Sequence, residues 1–406
     1  MSRRVVVTGI GLVTPLGIGR DDFFQRLLAG ESAAAPIASF DASRFPSKRA
    51  AEVSGFSPTD FISPRNARRM DRLSQMAAAS ARMALDDAGI AVDPGNRDRI
   101  GMILGTAFGS TEVATGFAGT MFTEGPRFVS PLQVPNTVMN APAGHAAIEL
   151  GVRGVNSTVN HREASAETAI AYAASEIRKG RTDAVLTGGV EIVSEFFFEM
   201  LHYFKALSPD DGGPEGARPF DADRNGPVVG EGAGVLCLES LESAEARGAT
   251  ILGEVLGWGM SSAPAPPNDW PSDPTGPVAA MEKAIRSAGL SPAEIDAVSA
   301  SANGGKRLDR LEAEALSAVF GRERDLPLIF ALKGALGESF SSGGIRTAAM
   351  ALSLSEGMFP PTVGLSDPIA PLPFIMKDPA KRPAAHGMIN GFSSGGTFAS
   401  VILKRL

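Results

Sequence analysis

Apolar and polar positions follow two rhythms that trade places along the chain. Short, mostly apolar runs at Arg4 to Val7, Ile100 to Thr106, Ala184 to Gly189 and Gly234 to Leu238 predict buried strands. Between them, Gln75 to Gly89 and Ala164 to Lys179 return apolar residues every third or fourth position, which predicts helices with a buried face. The grammar begins again near Ile251 to Gly257, with helices over Pro277 to Gly289 and Gly344 to Glu356 and strands over Ile295 to Ser299 and Phe398 to Lys404. Such alternation implies sheets covered by helices, an α/β architecture. Identity between the two rounds is weak, so two similar halves, 1–250 and 251–406, rest on pattern alone.

Composition narrows the class. With 406 residues, of which 44% are hydrophobic and 20% charged, the chain can bury a large core as one big unit or two fused ones. The N-terminus lacks the apolar region and cleavage site of a signal peptide, and no apolar run reaches the roughly 18 residues of a membrane span. A cytoplasmic protein that does not use a membrane is expected. A net charge of -7 argues against nucleic acid as a partner. The single cysteine, Cys237, excludes an internal disulfide or a cysteine zinc cluster, and no metal or cofactor is expected. Val5 to Gly11 opens like a dinucleotide-binding fingerprint, but Thr14 stands where the third glycine would fall. A tight structural turn at Gly9 to Gly11 is expected instead.

Arg218-Pro219-Phe220-Asp221, Arg224-Asn225-Gly226 and Gly230-Glu231-Gly232-Ala233-Gly234-Val235-Leu236 form an ordered signature that resembles the β-ketoacyl-acyl-carrier-protein synthases, closest to the type II enzymes. Val5 to Pro15, Ala184 to Glu191, Lys333 to Gly344 and Asn390 to Thr397 match too, so the resemblance covers essentially the whole chain. It implies a thiolase-like fold, a duplicated five-layered αβαβα arrangement that dimerises. It also implies a cysteine nucleophile at a helix N-terminus, where thiol pKa falls and backbone N–H groups form an oxyanion hole, with two histidines to stabilise an enolate. Those three positions correspond here to Glu163, Ser301 and Glu338.

No intact catalytic residue is therefore expected. A carboxylate is a poor nucleophile toward thioesters. Cys237 lies in a strand and reads as a small buried hydrophobe. His161, two residues from Glu163, reads as structural or pocket-lining. Glu163 and Glu338, facing each other in a confined cavity, are expected to share a proton or take a cation. The resemblance places the family's buried lysine and acids at Lys333, Asp309 and Glu312, which with Glu338 are expected to form a rigid polar network. It places the gate loop at Phe392, Ser393, Ser394 and Gly395, with Ser394 at the gate position, and the extender-binding threonines at Asn303 and Gly305.

One branch of the resembling family, the chain-length factors of type II polyketide and polyene systems, lacks the nucleophile, pairs with an active ketosynthase and shapes the acyl tunnel. The resemblance implies such a subunit here, in polyketide, polyene or fatty acid biosynthesis, as a heterodimer served by an acyl carrier protein. Most of these factors carry glutamine where this chain has Glu163, and an ionised glutamate cannot donate a hydrogen bond to a developing enolate. Val113, Phe117 and Met121 are expected to reach the partner's acyl chamber. Arg65, Arg68 and Arg69 recur at helical spacing and are expected either to dock the acidic carrier or to form a solvated helix surface. The alternatives are a homodimeric malonyl-carrier decarboxylase or acyltransferase working without a cysteine, and a structural scaffold.

Overall fold

The computed structural model describes residues 3–210, 215–321 and 326–406. Strands Val5–Thr14 (β1), Ile100–Gly105 (β2), Asn156–Val159 (β3), Ala184–Glu191 (β4) and Gly232–Ser240 (β5) come from the first half of the chain. The second half supplies Gly253–Ser262 (β6), Ala297–Ser299 (β7), Leu328–Phe330 (β8), His386–Ser393 (β9) and Thr397–Lys404 (β10). They join in the order β8-β7-β9-β10-β6-β1-β5-β4-β2-β3. Outward from the β6–β1 junction, both directions run through two antiparallel pairings and then two parallel ones. The chain thus builds the same half-sheet twice.

The helices that position the site are Arg72–Ala88 (α1), Thr111–Thr123 (α2), Ala141–Leu150 (α3), Ser165–Arg178 (α4), Glu195–Tyr203 (α5), Thr275–Ala288 (α6), Lys306–Phe320 (α7) and Gly343–Glu356 (α8). Helices α4 and α8 touch each other between the half-sheets, while α1 lies on β1 and β5, and α6 on β6 and β10. The outcome is the layered, duplicated thiolase-like arrangement. Local rules explain the element ends: the Asp71 side chain accepts from Ser74 N–H at the start of α1, and Gly89 closes it at φ 67°. Among the described residues, no helix is long and apolar enough to cross a membrane.

The turn expected at Gly9 to Gly11 is corrected by the structure, because β1 runs straight through both glycines. They serve close packing instead. A Cβ on Gly9 would lie 2.1 Å from the Ala84 carbonyl oxygen, and one on Gly11 would lie 1.8 Å from that of Ser80. Only residues without a side chain let α1 sit this near the strand.

Candidate functional site

The site forms where the start of α4 meets loops from the second half. A single 3-10 turn, Arg162–Ala164, joins β3 to α4, and Arg162 adopts φ 51°. The Ser165 hydroxyl fixes this turn by accepting from His161 N–H (2.9 Å) and donating to the Arg162 carbonyl (2.6 Å). The turn lies hard against β2, since a Cβ on Gly105 would come within 2.5 Å of Ala166 N. The left-handed residue lets consecutive side chains diverge, so that Arg162 reaches the Asn268 side chain while Glu163 turns into the protein.

Glu163 is buried and saturated with donors from one loop. Its Oε1 accepts from Ser394 Oγ (2.9 Å), and its Oε2 from Ser393 Oγ (3.0 Å) and Ser394 N–H (3.2 Å). Burial, and then the negative charge of Glu338, raise its pKa above the ordinary carboxylate range. Glu338 is satisfied differently. Lys333 Nζ and Asn303 Nδ2 donate to its Oε2 (2.7 and 2.8 Å), and Phe340 N–H donates to its Oε1 (2.8 Å). The two carboxylates are thus served separately, Glu163 by the two serines and Glu338 by the cation Lys333.

The expected four-residue network also takes another form. Glu312 accepts from Ser301 N–H, Ala302 N–H and Asn390 Nδ2, and Asp309 accepts from Phe220, Asn303 and Gly304 N–H groups, so neither touches Lys333. These acids clamp the backbone of 301–304, and Asn303 links that clamp to Glu338. Burial raises the pKa of Asp309 to about 7. The Ser301 hydroxyl accepts from Phe392 N–H (3.1 Å). Phe392 is buried at the end of β9, edge-on to Phe398, leaving Ser393 to Gly396 as the turn itself.

A cavity of about 530 Å3 opens onto this centre. Glu163, Ser394 and Phe340 form its buried wall, and the exposed Lys205, Lys306 and Arg307 stand at its mouth. Phe108 and Phe340 line one side and cluster with Phe197, the ring centroids lying 4.1–5.2 Å apart. Among the described residues, no cysteine or histidine lines the cavity. Cys237 is wholly buried on β5, where burial pushes its thiol up to about 12. His161 meets Thr168 Oγ1 at 3.3 Å.

Val113, Phe117 and Met121 are half-buried on α2, and none lines the cavity. Arg65, Arg68 and Arg69 are exposed around a four-residue helix, Pro64–Ala67, while Arg72 is withdrawn into an ion pair with Glu231 (2.6 Å). Sequence reasoning missed two buried groups. Arg346 of α8 pairs with Glu167 of α4 and donates to the Asn390 carbonyl, with both side chains fully buried. Each is a charge set among apolar and small residues in the first turn of its helix, a signal that was available. Glu191, at the end of β4, accepts from Ala107 N–H (2.7 Å) and Phe108 N–H (3.2 Å) without a cation partner, and burial pushes its pKa up to about 8.

Two half-sheets around a central helix pair, with a buried polar centre at the first turn of one of those helices, define a thiolase-like protein. Known proteins narrow this further. The chain matches the β-ketoacyl synthase N-terminal domain over residues 2–244 and the C-terminal domain over residues 252–366. It is 34% identical to a 3-oxoacyl-[acyl-carrier-protein] synthase 2 of Vibrio cholerae over 411 residues, covering 100% of this chain and 99% of the relative. The same enzyme of Coxiella burnetii is 32% identical over 409 residues, at 100% and 99% coverage. Among solved structures, the ishigamide ketosynthase/chain length factor superposes with a TM-score of 0.92 at 33% identity, covering 100% of both chains. The chain belongs to the β-ketoacyl synthase family.

Proposed function

We propose that this chain is the non-condensing partner of a cysteine-bearing ketosynthase, a subunit of chain-length-factor type that shapes the acyl tunnel across their shared interface. The observation that carries this reading is Glu163: a buried carboxylate, already holding three hydrogen bonds, occupies the place where acyl transfer needs a free nucleophile. Ser301 and Glu338 are likewise engaged with the protein itself, which supports the absence of condensing activity.

The surface supports pairing. Phe122 (82% exposed), Phe128 (68%), Leu132 (79%) and Ile148 (73%) crowd the stretch from α2 to α3. Beside them β3 ends the sheet with its outer edge unpaired in this chain. Apolar patches and open edges of this kind mark association surfaces. The homologous ketosynthase/chain length factor supports a heterodimer as the occupied state. The relatives' names support an acyl carrier protein as the second partner, for which Arg65, Arg68 and Arg69 offer a positive face.

Native mass spectrometry of the protein purified from its own host at native expression level tests the reading. A heterodimer with a ketosynthase that retains its cysteine is expected. A stable homodimer that releases carbon dioxide from malonyl carrier protein would overturn it in favour of a decarboxylase.

A further inference from the structure

Glu163 does more than replace a reactive group. Every side-chain hydrogen bond found for its carboxylate comes from Ser393 and Ser394, 230 and 231 residues away and on the other half of the chain. Those serines open the turn between β9 and β10, which continues through Gly395 (φ 84°) and Gly396 (φ 89°). The far shoulder of the turn is fastened as well. Gly395 N–H donates to the Asp269 carbonyl (2.8 Å), and Ala263 N–H donates to the Gly396 carbonyl (2.9 Å). Segment 263–269 is itself tied back, because Arg162 bonds the Asn268 side chain and Arg307 pairs with Asp269.

We propose that Glu163 is a latch: with Arg162 beside it, it locks the 393–396 turn and the 263–269 segment onto the first turn of α4 and holds the inner wall of the cavity shut. Consecutive residues grip different loops because the left-handed Arg162 throws the two side chains apart. The pairing is specific in chemistry. Two hydroxyls and one backbone N–H converge on one carboxyl group. The other ties of the turn are its backbone bonds to Asp269 and Ala263 and the close approach of Gly396, where a Cβ would lie 1.7 Å from the Ala263 carbonyl oxygen. A Cβ on Gly395 would meet no atom within 4 Å, so the turn packs against nothing on that side. The raised pKa of Glu163 follows from its enclosure and from the nearby charge of Glu338.

Glu163 and Ser394 both line the 530 Å3 cavity, so the latch forms part of its buried wall. The latch is a property of the chain alone, whichever partner it takes, so its failure and the failure of the heterodimer reading are separate results.

Hydrogen–deuterium exchange on the purified full-length protein tests it. The amides of residues 394–396 report the turn, and those of α1 report global integrity. In Glu163→Ala and in Ser394→Ala, exchange at 394–396 is expected to rise about tenfold or more with α1 unchanged. The double variant is expected to exchange no faster than the faster single one, because both remove the same interaction. Glu163→Gln, which keeps one acceptor oxygen, is expected to fall between. Unchanged exchange at 394–396 in Ser394→Ala, or single effects that multiply in the double variant, would overturn the latch. Should Glu163→Ala not fold, Ser393→Ala and Ser394→Ala give the same decision, since each removes only a hydroxyl from the turn.

Discussion

Replacing Lys333 with methionine isolates the energetics of the polar centre. Lys333 and Glu338 meet at 2.7 Å with 1% of each side chain exposed, so solvent screens almost none of their attraction. Removing one partner of such a pair typically costs roughly 3–5 kcal/mol, because the other charge is left buried and uncompensated. Here Glu338 keeps its bonds from Asn303 and Phe340, which places Lys333→Met near the low end, about 3 kcal/mol. The assay is urea unfolding at pH 7 and fixed protein concentration, so that mass action between subunits does not enter the comparison. A second variant, Lys333→Met with Glu338→Leu, removes both charges and is expected to recover at least half of the loss, since apolar groups of similar volume often replace a buried pair at little cost. A single variant within about 1 kcal/mol of the parent, or a double variant less stable than the single one, would refute the reasoning.

Glu191 predicts a dependence on pH. Its pKa is raised from 4.5 to about 8, so its protonated form is favoured by folding; that contribution is complete below about pH 4.5 and is lost as pH rises through 8. The urea midpoint of the parent is expected to fall over this window by an amount worth up to roughly 4–5 kcal/mol, and Glu191→Gln is expected to remove that part of the slope. Asp309, at about 7, adds a loss of the same sign, so the difference between parent and variant is the quantity to read. For the exposed arginines, Arg68→Glu with Arg69→Glu is expected to weaken carrier binding roughly tenfold at low salt, with the gap closing as ionic strength rises. Titration calorimetry with carrier protein decides this, and an unchanged dissociation constant rejects the docking role.

Much of the architecture is local and therefore legible. The helix expected over Ala164 to Lys179 is Ser165–Arg178, and the strand expected over Ala184 to Gly189 lies within Ala184–Glu191, because both periods repeat within a few residues. The second round of strands and helices reads equally well from Ile251 onward. Its first strand, Gly253–Ser262, runs further than its apolar run because β10 pairs with it as far as Ser262 and supplies its hydrogen-bond partners. Sequence also placed Glu163, Ser301 and Glu338 at the centre by resemblance.

What those residues touch is a different kind of fact. Glu163 meets Ser394 across 231 residues, and Arg346 meets Glu167 across 179, distances over which no periodicity carries information. Pattern alone reads Gly9 and Gly11 as a turn, yet an approaching helix makes them the floor of a packed layer. Lys333 and Glu338 are only five residues apart, but their pairing depends on Gly337 at φ 71°, which turns the chain back on itself. The sequence by itself determined many of the elements and their repetition, and it placed the single cysteine in a strand. Only the tertiary structure decided which buried charge is matched by which donor, because that choice is made by burial and close approach between segments far apart in the chain.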